Sequence, residues 1–221
     1  MKILIVGSRG FLGSHVTEKL KNNENYDVLE IRGKDQVDIL NIKDLNSYLD
    51  SNKPEIVINC AAFVGGISYG YKYPAQMLHI NSIMALNLYK ASYENGIKKL
   101  INPISNCAYP GDITTYKEED FFIGPPDESV YNYGISKRLY VQLGKSFSKE
   151  YNFSSANVIV SNMYGPNDHF DEERSHALGA IIKKVYEAKK NNFDEVVLWG
   201  TGRPIREWLY VEDGADALIN S

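Results

Sequence analysis

Residues 2–20, KILIVGSRGFLGSHVTEKL, decide the fold of this chain. The first five of them predict a buried β-strand because Lys2 is followed by the apolar run of residues 3–6, and the last eight carry apolar residues at helical spacing. Gly7 directly follows the predicted strand, Gly10 lies in the turn, and Gly13 begins the helical pattern. In a strand–turn–helix unit, such glycines allow a tight turn, the approach of a pyrophosphate to the backbone, and close packing of helix on strand. The segment therefore predicts a dinucleotide-binding loop rather than a purely structural turn, with Arg9 and Phe11 among its contacts.

The rest of the chain repeats this alternation of strands and helices. Short β-rich runs lie at 27–32, 55–59, 99–105 and 154–160, and helical patterns lie at 40–50, 74–95, 132–151 and 177–190. Two further apolar runs occur at 196–199 and 208–211. Such alternation predicts an α/β fold, a doubly wound parallel sheet that is covered on both faces and binds ligands at the carboxyl ends of its strands.

Composition excludes several classes of protein. The 221 residues carry 24 basic and 28 acidic side chains, a formal net charge of -4, which argues against a nucleic-acid binder held by bulk positive charge. No apolar run approaches the roughly 20 residues of a membrane span, and the N-terminus does not resemble a signal peptide. The two cysteines give no disulfide framework, so we expect a cytoplasmic protein. No metal site is expected.

The loop after the second predicted strand bears on the choice of dinucleotide. An NAD-binding protein usually places an acidic residue there, on the ribose 2′-hydroxyl. Here Arg32 and Lys34 follow the strand, and Arg9 lies in the first loop. Three cations near one point suit a 2′-phosphate, so NADP is favoured over NAD. Glu30, two residues before Arg32, is an acidic residue that could bind the ribose of NAD, so NAD remains an alternative. Arg32 and Lys34 could also be ordinary solvated charges.

A tyrosine and a lysine one helical turn apart could supply a proton to a reduced carbonyl. With 16 Tyr and 18 Lys in the chain, chance alone gives roughly one such pair, and two occur, Tyr133/Lys137 and Tyr186/Lys190. Tyr133 opens a long predicted helix after the strand that ends in Ser105, whereas Tyr186 lies late in a lysine-rich helix. We therefore assign catalysis to Tyr133 and Lys137, and a solvated face to Tyr186.

Several motifs together resemble one known family. The glycine spacing G-x-x-G-x-x-G is typical of the extended short-chain dehydrogenase/reductases. In the 4,6-dehydratases of that fold an Asp-Glu pair follows the serine or threonine, but Asn106 and Cys107 stand here, so dehydration is not expected. The chain resembles the GDP-L-fucose synthases, which are GDP-4-keto-6-deoxymannose 3,5-epimerase/4-reductases, and related GDP-sugar 4-reductases. The matching segments are 7–10, 61–67, 73–75, 105–110, 133–137, 162–166, 175–176, 199–202 and 206–213.

The resemblance implies roles for the catalytic residues. Ser105, Tyr133 and Lys137 would carry out the reduction with NADPH, and Lys137 would hold the nicotinamide ribose and lower the pKa of Tyr133. Cys107 and His176 fall on the epimerisation pair: a thiolate could take a proton from the sugar and the imidazole could return one on the opposite face. Cys107 as a buried apolar residue and His176 as a surface residue after an exposed 171–174 loop are the alternatives.

The resemblance also implies binding residues and an assembly. Asp38 would contact the adenine and Ala61 would lie against the cofactor. A GDP-linked 4-keto sugar would meet Asn162, Lys184 and Arg206. A homodimer would form through the helices at 74–95 and 132–151. Cys60 is expected to be core packing.

Two other functions stay open. One is a 4-reductase without epimerisation, for a related GDP-4-keto-6-deoxy sugar of the heptose or colitose type. The other is a dinucleotide-binding protein that has lost catalysis. We expect a dinucleotide-binding domain over 1–165 and a partial sugar-nucleotide domain over 166–221. The chain stops inside a predicted helix with no stop signal, which predicts a C-terminal truncation.

Overall fold

The computed structural model describes residues 1–170, 175–198, 200–203 and 205–221. Its centre is a parallel five-stranded sheet with the strand order β2-β1-β3-β4-β5. The strands are β1 (Lys2–Val6), β2 (Asp27–Ile31), β3 (Ile56–Asn59), β4 (Lys99–Ser105) and β5 (Ser154–Val160). The predicted doubly wound α/β sheet is thereby confirmed.

Seven helices accompany the strands in the described residues. They are α1 (Phe11–Lys21), α2 (Ile42–Asn52), α3 (Ile67–Lys72), α4 (Pro74–Glu94), α5 (Tyr131–Tyr151), α6 (Ala177–Lys190) and α7 (Val211–Ile219). None of these helices is long and apolar enough to cross a membrane. Pro74 begins α4 at a position where its missing N–H costs nothing.

Apolar side chains of β1 alternate between two cores, one on each face of the sheet. Leu4 and Val6 lie in the core that α2, α4 and α5 cover, and Ile3 and Ile5 lie in the core that α1 and α7 cover. Because both faces of β1 are buried, its sequence is continuously apolar rather than alternating. Strand order reverses between β1 and β3, and a ligand-binding crevice is expected at such a switch point.

Two elements escaped the sequence prediction. The short helix α3 precedes α4, and the strand β6 (Asn162–Tyr164) pairs in parallel with β7 (Trp208–Tyr210) in a separate two-stranded sheet. The apolar run at 196–198 forms no strand, and Trp199 lies outside the described residues. The predicted exposed loop at 171–174 also lies outside them.

The helix α7 packs against the main sheet. Val211, Ala215 and Leu218 are fully buried in the core that contains β1 and α1, and Lys19 of α1 forms an ion pair of 2.8 Å with Asp216. The predicted division between residues 165 and 166 stays a prediction, but the last described helix packs on the dinucleotide-type sheet rather than away from it.

Candidate active site

The glycine loop after β1 forms a cradle at the switch point of the sheet. Gly7 has a φ of +80°, and a Cβ on it would lie 2.8 Å from the backbone nitrogen of Ala61, which follows β3. A Cβ on Gly13 would lie 2.1 Å from the Gly7 carbonyl oxygen. Gly10 caps α1 without a side chain, and Phe11 begins the helix. The loop therefore leaves its backbone and the N-terminus of α1 open to a pyrophosphate, and the residues fit a dinucleotide.

A cleft of about 410 Å³ lies beside the end of β2, where the adenosine side of a dinucleotide is expected. Arg9, Glu30 and Arg32 line it. Glu30 forms ion pairs with Lys21 and Arg32, and the hydrogen bond from Lys21 is the main cause that lowers the pKa of Glu30 to about 2. Glu30 is thus engaged by two cations.

The third predicted cation of this region is engaged elsewhere. The Lys34 ammonium lies 3.2 Å from the Asp38 carboxylate, whose other oxygen accepts a hydrogen bond from the Leu40 N–H at 3.1 Å. Of the three predicted cations, Arg9 and Arg32 therefore face the cleft. The adenine contact of Asp38 stays a prediction.

Four predicted catalytic residues meet at the carboxyl end of β4. Ser105 ends the strand, and its Oγ accepts a hydrogen bond of 3.2 Å from the Cys107 N–H, which starts the short 3₁₀ turn Asn106–Ala108. The first turn of α5 packs on this turn: a Cβ on Gly134 would lie 2.7 Å from the Cys107 carbonyl oxygen. Gly134 therefore allows Tyr133 to approach Ser105 and Cys107.

Lys137 is buried beneath Tyr133, one helical turn further along α5. Its side chain donates a hydrogen bond of 3.2 Å to the Pro103 carbonyl, and its ammonium lies 5.5 Å from the centre of the Tyr133 ring. Burial lowers the pKa of Lys137 to about 8, although the nearby Cys60 opposes this change. Cys60 thus packs against the core, as expected, and is also close enough to act on the charge of Lys137. Burial raises the pKa of the Cys60 thiol to about 12.

The structure corrects the expected ionisation of Tyr133. Lys137 was expected to lower the pKa of the phenol, but burial raises that pKa above its ordinary value, and the neighbouring Cys107 and Tyr140 add to the rise. The cost of desolvating a phenolate is the main cause of this rise. Tyr133 therefore keeps its proton at neutral pH, as a proton donor must.

Cys107 is also held in its protonated form. Burial raises the pKa of its thiol above the ordinary value, and the hydrogen bond with Ser105 and the charge of Arg206 oppose this only in part. Arg206 is exposed and close enough to act electrostatically on Cys107. This places one predicted substrate-binding residue at the same end of the sheet as the catalytic group.

The other predicted site residues lie after β5, in the segment that carries β6 and α6. His176 caps α6, and its Nδ1 lies 3.6 Å from a carboxylate oxygen of Asp168. Asn162 of β6 donates a hydrogen bond of 3.3 Å to the Glu207 carbonyl, next to Arg206 in sequence. Lys184 donates one of 3.0 Å to the Val197 carbonyl. Among the described residues, no hydrogen bond joins His176 to Cys107, so the predicted epimerisation pair is not brought together by direct contact.

Comparison with known proteins decides the family. The profile of the NAD dependent epimerase/dehydratase family matches residues 3–220.

The chain belongs to this family.

GDP-L-fucose synthase 1 of Arabidopsis thaliana is 34% identical over 219 residues, which are 99% of this chain and 68% of that protein. GDP-L-colitose synthase of Yersinia pseudotuberculosis is 34% identical over 221 residues, which are 99% of this chain and 71% of that protein. Among solved structures, a GDP-L-fucose synthetase from Naegleria fowleri bound to NADP superposes with a TM-score of 0.85 at 30% identity, covering 99% of this chain and 71% of that one. The chain spans about two thirds of the length of the curated relatives that it matches. The resemblance seen in the sequence is therefore confirmed.

One polar residue that shapes this epimerase/dehydratase site escaped the sequence prediction. Asn81 of α4 is buried, accepts a hydrogen bond of 2.9 Å from the Phe63 N–H and donates one of 2.9 Å to the Phe63 carbonyl. It therefore clamps the segment that follows Ala61 at the cofactor cradle. An asparagine inside the apolar stretch of residues 77–89 was the signal that could have revealed it.

Proposed function

We propose that this chain carries the site of an NADPH-dependent 4-reductase and 3,5-epimerase that acts on a GDP-linked 4-keto-6-deoxy sugar. One observation carries the proposal: Ser105, Cys107, Tyr133 and Lys137 meet at the carboxyl end of β4, on the sheet whose first loop forms a dinucleotide cradle. The names of the relatives, fucose and colitose synthases that act in GDP-sugar chemistry, support the choice of substrate class.

The reduction uses the protonated phenol of Tyr133. NADPH, when bound, supplies the hydride that adds to C4 of the sugar. Tyr133 donates its proton to the C4 oxygen, so the carbonyl becomes a hydroxyl, and Ser105 at the end of β4 holds that oxygen in place. Lys137 holds the ribose next to the nicotinamide, and its charge favours the phenolate that Tyr133 becomes after the transfer.

The epimerisation uses Cys107 and His176 while the sugar still carries its 4-keto group. That group acidifies the protons at C3 and C5 because the resulting carbanion is an enolate. The Cys107 thiolate removes one proton and His176 returns one to the opposite face, so a stereocentre inverts with no net change in atoms or charge. Since burial raises the pKa of Cys107, only a minor fraction of the thiol is ready for this step at neutral pH.

The proposal is tested by incubating the protein with GDP-4-keto-6-deoxymannose and NADPH, following nicotinamide absorbance, and determining the product configuration by NMR. We expect NADPH oxidation and a product inverted at C3 and C5. A product reduced at C4 but inverted at neither carbon would instead establish a 4-reductase. Absence of NADPH oxidation with several GDP-4-keto sugars would overturn the proposal.

We also propose a homodimer that forms through α4 and α5. Exposed apolar side chains line these two helices, among them Leu86, Tyr93 and Tyr151, which are 48%, 41% and 42% exposed. Tyr93 stacks on Tyr151 with ring centres 4.3 Å apart, which gives the two helices a shared aromatic surface. Large exposed aromatic groups of this kind are typical of contact surfaces.

Replacing Arg32 by alanine is expected to weaken NADPH binding by about 10- to 100-fold, because a charge-assisted hydrogen bond to the 2′-phosphate is worth roughly 1.5–3 kcal/mol. NADH lacks that phosphate, so its affinity should change little. Both affinities can be measured by fluorescence titration. Lys34→Ala is the matched control, since Lys34 pairs with Asp38 and is not among the residues that line the cleft, and its effect should be smaller. An equal loss of NADH and NADPH binding would contradict the assignment.

The two reactions are expected to respond oppositely to pH. Reduction needs the charge on Lys137, whose pKa is lowered to about 8, so its rate should fall as the pH rises through that value. Proton removal by the Cys107 thiolate starts the epimerisation, and because the pKa of this thiol is raised, this first step should still become faster in the alkaline range. Deuterium exchange without NADPH reports the second reaction, and NADPH oxidation with pre-equilibrated sugar reports the first. Two profiles that rise together would contradict this account.

A further inference from the structure

Asp168 is a buried carboxylate that none of the roles above uses. Its side chain is only 3% exposed. One oxygen, Oδ1, accepts a hydrogen bond of 2.8 Å from the His169 N–H and lies 3.6 Å from Nδ1 of His176. Within the part of the chain that the structure describes, Oδ2 of Asp168 and Nδ1 of His176 are both buried and have no hydrogen-bond partner. A buried Nδ1 without a partner lies next to a buried carboxylate that still has acceptor capacity on both oxygens, so the two groups are expected to bond to each other after a small movement.

The turn that carries Asp168 is built to hold it in place. The Asp168 N–H donates to the Gly165 carbonyl at 3.4 Å, and Pro166 and Asn167 occupy the two central positions, with φ +68° at Asn167. Proline followed by an asparagine of positive φ is typical of a type II turn. The Pro166 carbonyl lies 2.9 Å from Nε2 of the buried His15 in α1. The turn that carries the carboxylate is therefore anchored to the helix that follows the dinucleotide cradle.

The first turn of α6 packs directly on the same carboxylate. A Cβ on Gly179 would lie 3.3 Å from Oδ2 of Asp168, so the glycine allows the helix to approach it. The helix N-terminus also favours a negative charge at this position. His176 is the N-cap residue of this helix, and its Nδ1 is buried 3.6 Å from Oδ1 of Asp168. Because the side chain of His176 is 38% exposed while Nδ1 is buried, the edge with Nε2 is the exposed one.

We propose that Asp168 is the positioning residue of His176. It accepts the Nδ1–H of the imidazole, which fixes the ring orientation and leaves Nε2 as the atom that exchanges a proton with the sugar. The same carboxylate compensates the charge of the imidazolium that exists before the proton is given away. Carboxylates orient catalytic histidines in the same way in other enzymes, by accepting the Nδ1–H of the ring. The catalytic part of this inference rests on the proposed function, whereas the pairing of Asp168 with His176 does not.

The pairing is tested by NMR of the protein labelled with ¹⁵N-histidine, at a pH where the His176 ring is neutral. The chain has 4 histidines, and His176→Gln assigns the signal of interest. We expect the wild-type ring to be protonated on Nδ1. In Asp168→Ala, which removes the acceptor altogether, the preference for Nδ1 should be lost and the proton should move to Nε2. A wild-type ring protonated on Nε2, or an unchanged tautomer in the variant, would overturn the proposal.

The catalytic consequence is tested by deuterium uptake from D2O into GDP-4-keto-6-deoxymannose. We expect Asp168→Asn to slow the uptake by about 10- to 100-fold, less than the roughly 10²–10⁴-fold that removal of a positioned acid or base costs. Reduction of pre-equilibrated sugar by NADPH should change little, and Asp168→Asn should add nothing in a His176→Gln background. The exposed Asp194, changed to Asn, is the matched control.

The outcomes separate the inference from the proposed function. Equal losses in deuterium uptake and in NADPH oxidation would mean that Asp168 only supports the fold, and would overturn the positioning role. A wild-type protein that shows neither reaction would overturn the proposed function, and the NMR tautomer would then still decide whether Asp168 holds His176. If Asp168→Ala does not fold, the tautomer of the wild-type ring decides the pairing alone.

Discussion

Replacing Tyr133 by phenylalanine is expected to lower the NADPH-dependent reduction by about 10²–10⁴-fold, the usual contribution of a positioned proton donor. The phenol is buried and its pKa is raised, so it holds the proton that the C4 oxygen must receive. Phenylalanine keeps the ring that packs near Lys137 and removes only the hydroxyl group that carries the proton. The rate constant of NADPH oxidation with a saturating 4-keto sugar measures the loss.

The chain itself supplies a matched control for this change. Tyr186 also has a lysine one turn later, Lys190, but its side chain lies on an exposed face of α6 and is 65% exposed. Tyr186→Phe should therefore leave the rate unchanged. Full activity in Tyr133→Phe would remove Tyr133 from the mechanism, whatever the control shows.

Replacing Cys107 by alanine is expected to lower deuterium uptake at the sugar carbons by about 10²–10⁴-fold, because we propose this thiol as the group that removes the carbon-bound proton. Reduction of a sugar already equilibrated between its epimers should continue, since Ser105, Tyr133 and Lys137 remain. The uptake is measured by mass spectrometry without NADPH, and the reduction by NADPH oxidation in the same preparation.

The variant Cys107→Ser separates the acidity of the thiol from the size of the side chain. A serine keeps the size of the side chain and its place in the 3₁₀ turn but is a far weaker acid, so its uptake should stay close to that of the alanine variant. Uptake near the wild-type rate in either variant would show that another residue starts the epimerisation. Cys107 would then be a buried small residue of the active-site wall.

The main sheet could be predicted from the sequence because its strands are short, apolar and separated by strong turn and helix signals. The bounds of β1, β4 and β5 match the prediction to the residue. β6 could not be found in this way, because its three residues form a strand only by pairing with β7, more than forty positions later. The apolar run at 196–198 lacks such a partner among the described residues and forms no strand.

The active site was predictable to the extent that its residues lie at the ends of recognisable elements. Ser105 ends β4, and Tyr133 and Lys137 lie one turn apart in α5, so their meeting follows from the topology. The prediction that the pKa of Tyr133 is lowered was wrong, because this pKa depends mainly on burial, which the spacing of residues does not reveal. Asp168 was missed because its contact with His176 depends on the turn at 165–168, and no local pattern announces it.

The central claim is that one site on this chain both epimerises and reduces a GDP-linked 4-keto sugar. It is tested most directly by incubating the protein with GDP-4-keto-6-deoxymannose in D2O without NADPH and locating the incorporated deuterium by NMR. The account predicts deuterium at both C3 and C5, lost in Cys107→Ala and kept in Tyr133→Phe. Deuterium at neither carbon, in a preparation that oxidises NADPH with the same sugar, would contradict it.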